Sequence, residues 1–162
     1  MSFQTSALIV TWVALLLLAL VVSGLVRQVH TLSSGAAGRR DPVGPRPGTA
    51  APHLDRLDAR PPAVLLFLRP SCHTCTDVLD ESVSVAGTGL SVHAIYEGPA
   101  PDVPSGVAAH GHQGRLFATY DAVAVPFAVL VGGDGRVAGA GPVGSRAAIG
   151  ELLAPVSSGG RS

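Results

Sequence analysis

Hydrophobic positions fall into two regimes along the chain. Residues 7–26 form an unbroken uncharged run of twenty, with Leu15-Leu16-Leu17-Leu18 at its centre. As a helix, a run of that length rises about 30 Å, the depth of a bilayer's hydrocarbon core. A single transmembrane helix is therefore expected over residues 7–27, closed by Arg27 and preceded by a short tail of residues 1–6. A cleaved signal peptide fits less well: no Arg or Lys precedes the run, which also exceeds the usual h-region of about 7–15 residues. Residues 28–48 turn to Gly, Pro and Ser, a composition that buries too little apolar surface to order itself and reads as a linker.

In the second regime, from about residue 49, short apolar runs alternate with longer mixed ones. Residues 63–69 read as a buried strand and 73–86 as a helix containing Val78, Leu79 and Val83. Residues 90–96 alternate as a second strand. Residues 97–112, rich in Gly, Pro and Ala, give no assignable element. A short helix over about 113–120 precedes a third strand at 127–131. Gly132-Gly133-Asp134-Gly135 supplies the positive-φ positions of a hairpin turn, and 136–140 returns as a fourth strand. Ser145 caps a final helix through about residue 154, with Leu152 and Leu153 facing inward. The elements make one α/β domain over residues 49–156, a central mixed sheet flanked by helices, with a disordered tail at 157–162.

Composition narrows the chemistry. Eleven basic and eleven acidic residues give no net charge, so no nucleic-acid partner is expected. The chain has two cysteines, in Cys72-His73-Thr74-Cys75 at the junction of the first strand and its helix. A helix start places unpaired N–H groups and the positive end of the macrodipole near the first sulfur. Both favour thiolate, the nucleophile of disulfide exchange. Haem attachment needs His after the second cysteine, where Thr76 stands. A zinc site needs two further ligands, for which the sequence offers His110-Gly111-His112, a pattern more typical of a solvated turn. No metal and no cofactor are expected on the leading reading. A copper(I)-binding protein using Cys72, Cys75 and His73 is the alternative, since soft thiolates suit that ion, and a non-catalytic interaction module is a third. Pro126, in front of the apolar run 127–131, is out of place in a central strand with a trans bond, because it removes a ladder N–H. His30, His53 and His93 have no partner at a useful spacing.

The stretches 67–75, 124–130, 134–137 and 141–146 together resemble the membrane-anchored thioredoxin-like proteins of the TlpA/ResA group, in particular their methylamine-utilisation branch. The resemblance covers nearly the whole chain. It implies a thioredoxin-like fold and a protein thiol–disulfide oxidoreductase or isomerase. Cys72 is implied as the attacking thiol and Cys75 as the resolving one, with a Cys72–Cys75 disulfide in the oxidised form. Pro126 is implied as a cis-proline, and Val125 as backbone presented to a substrate chain. His73 stands where the branch commonly has proline; an imidazolium there would favour the Cys72 thiolate, and the alternative is a side chain that points to solvent at the helix start and does little. The first strand offers no acidic residue at Leu65, Leu66 or Leu68 to accept the proton of Cys75. The implied partners are a cysteine-containing exported client, a membrane redox protein, and the bilayer through residues 7–27. Arg27, Arg39, Arg40 and Arg46 follow the span, and the positive-inside tendency would put the domain in the cytoplasm. The resemblance implies the opposite, and an extracytoplasmic domain on a single-pass membrane protein is the expectation.

Overall fold

The computed structural model describes residues 12–18, 20–21, 43–87 and 89–158, in two units, Met1–Asp41 and Pro42–Ser162. In the first unit residues 12–18 and 20–21 are helical, with Trp12 and Leu15 to Leu18 exposed. The rest of the predicted 7–27 anchor, the tail 1–6 and residues 28–42 of the linker lie outside the described residues. Among those described, no helix is long and apolar enough to cross a membrane.

The second unit runs β1 (Ala63–Leu68), α1 (His73–Ala86), β2 (Ser91–Tyr96), β3 (Val107–His110), α2 (Gly114–Thr119), β4 (Phe127–Val131), β5 (Val137–Pro142) and α3 (Arg146–Ser158). The five strands form one sheet in the order β3-β2-β1-β4-β5. β2 is parallel to both β1 and β3, while β4 is antiparallel to β1 and β5.

Every residue of β1 is buried, because both faces of the sheet are covered and the strand can be apolar throughout. The pleat sends Leu65 and Phe67 to one face, where they join Ile95, Phe127 and Val129 against Leu116, Phe117 and Tyr120. Phe67 meets Phe117 edge-on, with centroids 5.0 Å apart. Val64, Leu66 and Leu68 point the other way, with Ala94, Ala128 and Leu130, against Cys75, Val78 and Leu79 of α1 and Ile149 and Leu153 of α3. Each large apolar side chain so buried contributes about 1.5–3 kcal/mol.

Residues 48–51 lie along the open edge of β5. Gly48 N–H donates to Val137 C=O at 2.8 Å, Val137 N–H to Thr49 C=O at 2.8 Å, and Ala51 N–H to Gly135 C=O at 3.0 Å. A little further on, the buried Tyr120 hydroxyl donates to Pro52 C=O at 2.6 Å.

The structure departs from the sequence-based expectation at three places. β3 falls inside the stretch left without an element. Its Val-Ala-Ala-His has little intrinsic strand character, and pairing with β2 rather than local pattern makes it a strand. α3 continues to Ser158, so residues 157 and 158 of the expected tail are helical, while 159–162 lie outside the described residues. The third concerns the histidines. His93, on β2, is 4% exposed, and its Nδ1 lies 3.0 Å from Nε2 of His110 at the end of β3. The rings are inclined at 16° with centroids 5.3 Å apart. That separation is two ring radii plus a hydrogen bond, so the imidazoles meet edge to edge, one nitrogen donating and the other accepting. His110 is thus a partner of His93 rather than part of a solvated turn.

Candidate active site

β1 ends at Leu68, and Arg69, Pro70 and Ser71 turn the chain into α1, with Cys72 N–H donating to Arg69 C=O at 3.3 Å. Cys72 is the N-cap of α1, with φ −105° and ψ 110°. Its Sγ accepts from the backbone N–H of Cys75 at 3.2 Å. Its carbonyl accepts from Cys75 N–H at 3.1 Å and Thr76 N–H at 3.3 Å. One sulfur is therefore held at the positive end of a fourteen-residue helix, where a negative charge is favoured. A disulfide joins Cys72 to Cys75, whose Cα atoms are 5.2 Å apart. Cys75 is 2% exposed, while Cys72 is only partly buried. The two sulfurs differ in access, as a pair in which one is attacked and the other follows requires.

Register brings the second half of the site to the same end of the sheet. Phe67 pairs with Phe127, so Pro126 continues level with Leu68, where β1 runs out toward the dithiol. The Val125–Pro126 bond is cis, as is Pro61–Pro62. Pro126 C=O accepts from Val143 N–H at 2.9 Å. The backbone groups of Ala124 and Val125 make no hydrogen bond among the described residues, and Val123 beside them is 76% exposed.

His73, the first residue of α1, has its side chain 94% exposed, with Nε2 3.9 Å from Asp77 Oδ2. Water screens a charge so placed. Asp77 is held by Arg146 of α3, whose Nη2 donates to Oδ1 at 2.9 Å. This pair joins the two helices on the surface beside the site. Among the described residues no group of three or more His, Cys, Asp or Glu is arranged to hold a metal ion.

Sequence reasoning missed Tyr96 and the loop after it. Tyr96 ends β2 opposite Leu68 and lines a cleft with Cys75, Asp80 and Asp102. Its alternation within 90–96 marked it as a strand residue and gave no sign that the loop would fold back toward the cysteines.

A mixed sheet with helices on both faces makes this a thioredoxin-like fold, and it carries a helix-capping CxxC disulfide with one sulfur accessible and one buried. No family model matches the chain. Among curated proteins it is similar to methylamine utilization protein MauD of Paracoccus versutus, at 27% identity over 94% of this chain and 89% of that protein. Among solved structures, a candidate protein disulfide isomerase from Bacteroides thetaiotaomicron superposes with TM-score 0.55 at 14% identity, over 71% of this chain and 91% of that one. A candidate thiol:disulfide interchange protein DsbE from Chlorobium tepidum gives TM-score 0.51 at 16% identity, over 70% and 96%. At these identities the two structures speak for the fold.

Proposed function

We propose that the protein is a membrane-tethered thiol–disulfide oxidoreductase or isomerase that acts through Cys72 and Cys75 on an exported client. The observation that carries the reading is the asymmetric disulfide at the start of α1. A client thiolate reaches Cys72 Sγ more readily than the buried Cys75. Its attack forms a client–Cys72 mixed disulfide and expels the Cys75 sulfur, which takes up a proton. A second client thiolate attacks the client sulfur and releases Cys72 as a thiolate, stabilised by the helix start and the Cys75 N–H. Two electrons pass from client to protein, and the reverse sequence reduces a client disulfide. Regeneration of the starting form falls to a membrane redox partner.

The free backbone of Val125 supports a docking role, because an extended client segment beside it gains main-chain hydrogen bonds as a strand added to an edge. Val123 offers that segment an apolar contact, and Pro126 carries the loop. Tethering through residues 7–27, with the domain outside the cytoplasm, is supported by the length of the apolar run and by the similarity to MauD. That alignment covers 94% of the chain and so takes in much of the N-terminal region.

Replacing Cys75 with Ser removes the resolving sulfur and leaves Cys72 to trap its partner. Cells expressing Cys75→Ser are expected to accumulate a mixed disulfide, cleaved by reductant, between this chain and an exported cysteine-containing protein. Adducts confined to cytoplasmic proteins would overturn the placement, and no adduct at all would overturn the activity on a client.

A further inference from the structure

A cleft of about 410 Å³ opens between α1, the end of β1 and the loop joining β2 to β3. Cys75 lines it, so a guest in the cleft sits against the reacting disulfide from the side of the buried sulfur. Leu68 and Leu79 form one apolar wall, and Pro101, Val103 and Pro104 the other. The volume lies near the lower end of the roughly 300–1,000 Å³ typical of sites that enclose a guest.

Three polar groups stand among these walls. Tyr96 is 3% exposed, yet its hydroxyl makes no hydrogen bond to the described residues. Since none of their buried side-chain oxygens or nitrogens lacks a partner, that hydroxyl opens into the cleft. Burial holds the phenol above its usual range, keeping it neutral and able to donate or accept. Asp80 and Asp102, both exposed, line the same space. Neither forms an ion pair, and Arg69 on the rim lies within ion-pair distance of neither. Asp80 also feels Arg146 of α3, which is taken up by Asp77 and does not line the cleft. Two carboxylates against one guanidinium leave the lining itself negative, with an unused hydrogen-bonding group at its apolar wall.

We propose that this cleft is a specificity pocket for a basic side chain, Lys or Arg, close to the reacting cysteine of the client. Such a side chain matches both kinds of lining. Its aliphatic stem covers the Leu and Pro walls, and its charged head donates to Asp102, Asp80 and the Tyr96 hydroxyl. A glutamate in the same place meets two like charges. The pocket selects among clients without taking part in sulfur chemistry, and the inference rests on the thiol–disulfide reading above.

The test uses the full chain in detergent, first reduced with dithiothreitol and freed of it so that the Cys72 thiolate attacks and Cys75 closes the protein disulfide. Its substrates are three peptides with an internal disulfide, identical except for Lys, Ala or Glu beside one cysteine. Hydroxyethyl disulfide serves as a small uncharged substrate. Exchange is followed by mass spectrometry, and kcat/KM for the Lys peptide is expected to exceed that for the Glu peptide by about five- to tenfold. Asp102→Asn and Tyr96→Phe are each expected to narrow that ratio to below about threefold, while Glu151→Gln on the exposed side of α3 leaves it unchanged. Equal rates for the three peptides, or an undiminished ratio in Asp102→Asn, overturn the pocket while leaving the redox reading intact. Failure to exchange with any substrate, hydroxyethyl disulfide included, overturns the redox reading and the pocket with it.

Discussion

Cys72 and Cys75 share a helical turn and a disulfide, yet their surroundings differ. Cys72 Sγ receives the Cys75 N–H at 3.2 Å and sits at the helix N-cap. Cys75 is packed among Val78, Leu79 and Leu68, where burial opposes the thiolate. In the reduced protein, iodoacetamide at about pH 6 is expected to modify Cys72 at least about tenfold faster than Cys75, read by peptide mapping of partly labelled protein. Equal labelling would remove the division of labour between the two sulfurs. The motif itself was legible at this scale, because strand end, dithiol and helix start follow one another in the chain. For His73 the sequence left two orientations open, toward Cys72 or toward solvent, because its rotamer is set by what lies around α1, which four residues of sequence do not encode. Its side chain is 94% exposed.

At the scale of elements, β2 and β3 are joined by their ladder and by the His93–His110 hydrogen bond. Burial holds His93 below the usual imidazole range, the nearby His110 pushes it further down, and Asp58 acts in the opposite sense. His110 is lowered by burial as well. Both pKa values are therefore lower in the folded chain than in the unfolded one, so the unfolded chain binds protons first as pH falls. The stability that the neutral pair provides is complete above the unfolded value of about 6.5 and declines as pH drops through the folded values. Thermal unfolding of the wild type is expected to shift to lower temperature between pH 7.5 and 5, and the double variant His93→Leu/His110→Leu to show a flatter profile over that interval. A steeper profile in the variant would mean that other groups govern acid sensitivity. None of this was readable from the sequence, since the two residues lie 17 apart and meet only through the register of a strand that four weak residues conceal. β1, β2 and β4 were legible because their apolar runs lie between Pro, Gly and polar stretches that punctuate them.

Over the whole molecule, the order of elements disclosed the fold, since strand–helix–strand units with a closing hairpin fit few sheets. The cleft, and the pairing of residues 48–51 with β5 in particular, depended on long-range return of the chain and stayed hidden, although the sequence does suggest an entry segment packing on the domain from about Gly48. The Tyr120 hydroxyl, 2.6 Å from Pro52 C=O, bears on where this domain can be cut. Counted by its first strand, the folded body would begin near residue 63, and a shortened protein starting at Arg60 would seem complete. Such a fragment would lose Leu57, 2% exposed in the core, and leave a phenol hydroxyl without its acceptor, at a cost of about 1–3 kcal/mol for that group alone. A fragment starting at Val43 keeps both. The shorter one is expected to melt at lower temperature and yield sooner to protease than the longer; equal melting would show the lead-in to be dispensable. A form of the domain that keeps these contacts therefore carries the twenty residues from Val43 to Pro62 ahead of its first strand.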